Sequence, residues 1–315
     1  MAKRTDWMEH FRVTHGSLAA LRTLGGVVLV AALLAAGGCA SFDEWGRAKV
    51  YRPTAIDSPQ LWQSMLAARP EVGTLEVPVG QGGEHVTVLR VPATGTIAGG
   101  GAIRVLYLHG TFRHAFRNLP KAAPMTAAGM TVFMPDYRGW GVSSPLLPSE
   151  SSILEDAHAV WQALHPFRAT GGDGQPVRWV IYGHSMGSAV AVALAAQLKD
   201  ERAYCALVLE SSFTSFSDVA YAAAGWLGRG LVALSDQRMD AASVIAGVSP
   251  PVWFLHGEDD KTVPLYLGRR LFDLAPEPKH WSQWPLGHSD LHTDPSGRYE
   301  QVWREIAASC EKASP

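Results

Sequence analysis

Charge of one sign is missing from this chain. Its 27 basic and 29 acidic residues leave a net charge of −2 over 315 residues, with no basic block, so a nucleic-acid partner is not implied. Internal repeats and low-complexity tracts are also missing, which excludes solenoid and fibrous designs. Cysteine is scarce: three residues cannot build a disulfide scaffold. No His-Glu-x-x-His pattern occurs near the histidine pair His288 and His292, and that pair has no evident third ligand, so zinc is not expected. Nor does the apolar run at 24–40 reach full spanning length: it has 17 residues, where a membrane helix needs about 20. What is plentiful is apolar residues at 47%, 31 glycines, 20 prolines and 11 tryptophans, the composition of a loop-rich α/β enzyme with a substantial core.

The N-terminus reads as an export signal. Lys3, Arg4, Arg12 and Arg22 precede an apolar run at 24–36, then Gly37-Gly38-Cys39-Ala40. Small residues directly before a cysteine resemble a bacterial lipobox, which implies that residues 1–38 are removed and Cys39 is acylated. Ala36 departs from the leucine usual at that place, and Asp6 and Glu9 make the leader long, with Met8 an alternative start. An uncleaved anchor is the competing reading. Either way the expected location is the cell envelope, tethered to a membrane. Ala40, where an inner-membrane retention signal carries aspartate, points to the outer membrane facing the periplasm.

Residues 39–72 read as a polar linker with short helical pieces such as 59–68. Residues 73–315 read as the catalytic body. Strands are expected at 75–79, 85–91, 103–108, 131–134, 179–182, 206–209, 252–255 and 280–284. Helices are expected at 119–128, 150–164, 188–198, 216–234, 265–274 and 298–311. The first two strands form an antiparallel pair at one edge. Thereafter strands and helices alternate, which predicts a mostly parallel, twisted sheet of about eight strands covered on both faces.

The most telling stretch is Gly183-His184-Ser185-Met186-Gly187. It follows a β-branched and aromatic run and precedes a run of small residues suited to a helix packed on a sheet. Strand, G-x-S-x-G, helix is the context of a nucleophile elbow, in which Ser185 stands exposed on a sharp turn. The amide of Met186, at the helix start, then faces the oxyanion site.

Taken with Leu106-Tyr107-Leu108-His109-Gly110, Asp136-Tyr137-Arg138-Gly139-Trp140-Gly141, His256-Gly257-Glu258-Asp259-Asp260-Lys261-Thr262-Val263-Pro264 and Gly287-His288-Ser289-Asp290, this stretch resembles the α/β-hydrolase superfamily across about residues 75–311. The nearest look is the serine-hydrolase branch that includes Bem46-like proteins. The resemblance implies an α/β-hydrolase fold with a short helical lid at about 211–247. It makes Ser185 the nucleophile, His288 the base and Asp260 the acid, with Asp259 and Glu210 as weaker alternatives for the acid. It also implies that the Thr111 amide is the second oxyanion donor beside Met186. No cofactor or metal is implied.

His109 and the pair Asp136 and Arg138 are expected to be structural, the latter as a buried ion pair. Trp140 either lines the acyl pocket or packs over a loop. Arg113, His114 and Arg117 form a basic cluster read as a solvated loop. Phe213, Phe216, Tyr221, Trp226 and Leu231 give the lid its apolar bulk, a spacing that marks a helix packed on the body. Cys205 opens a strand at the end of the sheet away from the site, and Cys310 closes the last helix there, so the two are either bridged or buried as free thiols. The implied function is a serine hydrolase acting on a small-molecule ester or thioester through an acyl-enzyme. The alternatives are a non-catalytic envelope lipoprotein that binds through this fold, and an acyltransferase.

Overall fold

Alternation in the first strands sets the edge of the sheet. In the computed structural model, which describes residues 43–97, 101–111, 113–165, 177–198, 203–249 and 251–312, β1 (Gly73–Val79) pairs antiparallel with β2 (Glu84–Val91). β3 (Ala102–Leu108), β4 (Met130–Asp136), β5 (Val177–His184), β6 (Ala206–Glu210), β7 (Val252–Gly257) and β8 (Lys279–Trp284) complete one eight-stranded sheet of order β1-β2-β4-β3-β5-β6-β7-β8. β2 runs antiparallel to β4, and every later pairing is parallel. β6 and β7 are buried along their whole length, as continuous apolar runs must be when helices cover both faces.

Besides a helical stretch over 43–51, the described residues form α1 (Pro59–Ala67), α2 (Ala123–Ala127), α3 (Glu150–Leu164), α4 (Met186–Gln197), α5 (Phe216–Ala233), α6 (Leu265–Leu274) and α7 (Arg298–Lys312). α3, α4 and α6 bury apolar residues such as Ile153, Val190 and Leu267 on one face of the sheet. On the other face, α2 and α7 bury Met125, Val302 and Trp303. α3 starts on a reciprocal cap, with the Ser149 and Ser152 side chains each accepting the other's backbone N–H. A disulfide joins Cys205, just before β6, to Cys310 in the last turn of α7, with Cα atoms 5.1 Å apart. It lies at the end of the sheet opposite the C-terminal ends of the parallel strands.

Three local expectations are corrected. The helix expected over 119–128 is a 3₁₀ segment, Ala115–Ala122, followed by the five-residue α2, because Pro120 and Pro124 remove the amides a continuous α-helix needs. The helix expected over 216–234 is kinked: Ala224 and Gly225 leave helical geometry, and Gly225 takes φ +59°, where a side chain would be strained. The segment expected to be linker is, from Trp45 on, part of the same compact unit as the sheet. Tyr51 is wholly buried there and donates to Gln237 Oε1 at 2.6 Å, and Ile56 N–H bonds to the Gly141 carbonyl at 2.6 Å.

Candidate active site

β5 ends at His184, and the chain reverses into α4 within a single residue, Ser185. That residue holds φ +55° and ψ −123°, a conformation that costs on the order of 1–3 kcal/mol for a residue with a side chain. Its neighbours over-determine the turn. Ser185 N–H donates to the Glu210 carbonyl at 2.9 Å, and the Ser185 carbonyl accepts from Ser188 N–H at 2.8 Å and Ser188 Oγ at 2.6 Å. The flanking glycines are needed for close approach. A Cβ at Gly187 would lie 2.0 Å from the Leu108 carbonyl oxygen, and one at Gly183 would lie 2.2 Å from that of Gly187. The serine side chain is left half-buried above the C-terminal ends of the strands.

His288 comes from the loop after β8. Its Nε2 lies 2.9 Å from Ser185 Oγ, and its Nδ1 lies 2.7 Å from Asp260 Oδ2. Asp260 follows β7 and is buried. Its other oxygen, Oδ1, accepts the Thr262 and Val263 amides at 2.9 and 2.8 Å. Burial alone would raise this carboxyl, but the His288 hydrogen bond, the charge on that imidazole and the Val263 amide outweigh it and hold Asp260 below its ordinary value. It is therefore ionised at neutral pH, the state that orients an imidazole through Nδ1–H. Asp259 is exposed, and its amide donates to Leu286. The structure thus brings together Ser185, His288 and Asp260, and leaves Asp259 outside.

Glu210 is committed elsewhere. Wholly buried, it accepts Lys121 Nζ at 2.5 Å on Oε1, and Tyr182 and Tyr299 hydroxyls at 2.7 and 2.6 Å on Oε2. Burial opposes its ionisation, yet the Lys121 charge leads the groups that overcome it and hold it at about 2. Lys121 gave no sign of this role in the sequence, since it lies in a segment read as ordinary helix.

His184 and Ser211 were also missed as site residues. His184 Nε2–H and Ser211 Oγ–H both donate to the His288 carbonyl at 3.0 Å, which pins the base's backbone from two sides. Burial, followed by the Lys121 charge, holds His184 well below its ordinary value, so it stays neutral with its proton on Nε2. The only sequence signal was the place of His184 inside the elbow motif.

Around Ser185 the cleft is lined by Gly110, Thr111, Arg113, Asn118, His288 and Ser289. Thr111 thus lines the same cleft as the serine, shortly after β3, and Met186 is the first residue of α4, where an amide has no intrahelical acceptor. Arg113, read as part of a solvated loop, belongs to this cleft, whereas His114 is buried. Trp140 packs fully buried near Tyr137 and His109, over the loop, and does not line this cleft.

Asp136 and Arg138 do not pair with each other. Asp136 accepts the Ala115 amide at 2.5 Å, and burial pushes it up to about 7. Arg138 binds Asp156 at 2.7 Å and also contacts Glu84 and Glu155. His109 is buried, bonded to the Gly110 carbonyl at 2.6 Å and lowered by burial to about 4. The lid residues are divided: Phe213 is buried, but Tyr221, Trp226 and Leu231 point to solvent instead of packing on the body.

Cys39, the expected signal at 1–38 and the apolar run at 24–40 lie outside the described residues. Among the described residues no helix is long and apolar enough to cross a membrane, and no group of three or more His, Cys, Asp or Glu side chains is placed to hold a metal.

Residues 102–244 match the family described as serine aminopeptidase, S33. An uncharacterised protein of Mycobacterium tuberculosis is 32% identical over 84% of this chain and 88% of its own length. Lysophosphatidylserine lipase ABHD12 of Mus musculus is 29% identical over 64% of this chain, which spans 52% of that longer protein. Among solved structures, an alpha-beta hydrolase from Vibrio vulnificus superposes with a TM-score of 0.65 at 19% identity, covering 84% of this chain and 92% of the other. In sequence and in backbone alike, this chain belongs to the α/β-hydrolase family.

Proposed function

We propose that the chain is an envelope-tethered serine hydrolase that cleaves carboxylic esters or thioesters through Ser185, His288 and Asp260. A neutral hydroxyl is a weak nucleophile, and a base within hydrogen-bond reach removes its proton as it attacks. His288 Nε2 takes that proton while Ser185 Oγ bonds to the acyl carbon. Asp260 holds the imidazole by Nδ1 and stabilises the imidazolium. The Met186 and Thr111 amides receive the oxyanion. His288 then protonates the leaving alcohol or thiol, and water, deprotonated by the same nitrogen, releases the acid and restores Ser185.

The single observation that carries this reading is the continuous chain Ser185 Oγ, His288 and Asp260 at 2.9 and 2.7 Å, set on a serine in a strained turn. The expected leader at 1–38 and acylation of Cys39 place the enzyme on a membrane, outer and facing the periplasm. A relative named as a lysophosphatidylserine lipase favours an ester presented at a lipid surface. Steady-state kinetics on p-nitrophenyl butyrate test the assignment. Ser185→Ala folds with the parent's circular dichroism and loses at least about 10³-fold in kcat; retained turnover refutes the nucleophile.

A further inference from the structure

The lid helix α5 carries an apolar surface that the body of the protein does not cover. Of its residues only Gly228 is buried. Trp226 and Leu227 are each 73% exposed, and Leu234, its C-terminal cap, is 70% exposed. With Leu231, also exposed, these side chains fall within an arc of about 140° at 100° per residue, so they share one face. Gly228 lies on the opposite side, where a Cβ would meet the Ala220 carbonyl oxygen at 2.2 Å; the two halves of the kinked helix are folded tightly together there. From 219 to 235 the chain contains no Asp, Glu or Lys, and its one charge is Arg229. That guanidinium pairs with Asp218 at 2.6 Å and lies 4.8 and 5.3 Å from the Tyr221 and Trp226 ring centroids. Burying this face would therefore strand no bare charge.

We infer that this face of α5 docks on a lipid bilayer, next to the cleft that receives the substrate. The occupant follows from where the N-terminal chain enters the body. Tyr51 bonds to Gln237, just past the end of α5, and its ring lies 6.1 Å from that of Phe216, the first residue of α5. The chain thus arrives between the two ends of the lid. Only eleven residues lie between Cys39 and Tyr51, a span of at most about 43 Å even fully extended. An anchor at Cys39, or at the apolar run that ends there, keeps the lid within that distance of the membrane. An indole, a phenol and leucines beside an arginine are the side chains that settle at the boundary between headgroups and acyl chains. The same lid begins at Ser211, which holds the His288 carbonyl, so a docked lid sets the cleft at the surface where a lipid ester resides. This inference rests on the hydrolase reading for its substrate, but its binding arm does not.

The test uses the full chain in phosphatidylcholine–phosphatidylglycerol vesicles. Leu227→Cys, or as a control Gln301→Cys on α7, is labelled with bimane, and the unsubstituted protein carried through the same labelling gives the background from Cys39. With acyl chains brominated near the headgroup, quenching at position 227 is at least threefold stronger than at 301. Leu227→Glu/Leu234→Glu abolishes membrane-dependent catalysis selectively: hydrolysis of 1-oleoylglycerol in the vesicles falls at least tenfold, whereas p-nitrophenyl butyrate in solution stays within twofold. Equal quenching at the two positions overturns the proposal, as does vesicle hydrolysis that is unchanged in the charged variant. Weak quenching together with a dimer that the two glutamates dissociate assigns the face to a second copy and overturns it as well. If the parent hydrolyses neither ester while position 227 is quenched, the hydrolase reading fails and the docking stands.

Discussion

Replacing Lys121 by methionine tests the ion pair beneath the nucleophile. Lys121 is 2% exposed and Glu210 is fully buried. At roughly 1.4 kcal/mol per pH unit, a carboxyl held at about 2 in place of 4.5 contributes about 3 kcal/mol of stability. For the parent, this contribution is complete above pH 4.5 and is lost as pH falls toward 2. Methionine fills the lysine's space but leaves Glu210 a buried charge with only two tyrosine hydroxyls, and breaking such a pair costs about 3–5 kcal/mol. In a domain of this size that is a fall in melting temperature of roughly 6–20 °C.

The sign of the pH dependence then reverses. With the Lys121 charge gone, burial outweighs the two remaining tyrosine donors and the Glu210 carboxyl moves above its ordinary value, so the variant recovers as acid neutralises it. The penalty, taken as a difference from the parent so that Asp136 and Asp156, raised to about 7 and about 6, cancel, shrinks between pH 8 and pH 5. Adding Glu210→Gln removes the stranded charge and returns at least about 2 kcal/mol. Urea unfolding followed by circular dichroism at both pH values reads all of this. A penalty below about 1 kcal/mol, one that is the same at both pH values, or a double variant less stable than the single would refute the reasoning.

Asp260→Asn removes the acceptor that fixes the His288 tautomer and lowers kcat on p-nitrophenyl butyrate by about 10³–10⁴-fold, while Asp259→Asn stays within about threefold; the reverse ranking reassigns the acid. Ser211→Ala deletes one of two donors on the His288 carbonyl. Its kcat falls about 2- to 10-fold with KM little changed. An unchanged kcat, or a change confined to KM, removes Ser211 from the positioning of the base.

Sequence reached far into this fold because its signals were local. Each of the eight strands begins within two residues of the run of apolar residues that announced it. Three motifs in the order serine, aspartate, histidine placed Ser185, Asp260 and His288, and the spacing to Val263 and Pro264 separated Asp260 from its neighbour. What escaped depends on partners far apart along the chain. Lys121 and Glu210 lie 89 positions apart, and no pattern within either segment predicts that they meet. Tyr51 looked like linker because its cavity is built by Gln237 and Phe216. Arg138 lies two residues from Asp136, but its partners come from Glu84, Glu155 and Asp156. The lid misled for a different reason: helical spacing of apolar residues says that one face is apolar, not what that face meets.

An activated hydroxyl at position 185 is the central claim, and the site of covalent capture measures it most directly. Treated with a fluorophosphonate, the protein gains one phosphonyl group, which peptide mass spectrometry locates on Ser185, and His288→Ala slows the modification at least about 100-fold. Modification of some other residue, or an equal rate without the imidazole, contradicts the account.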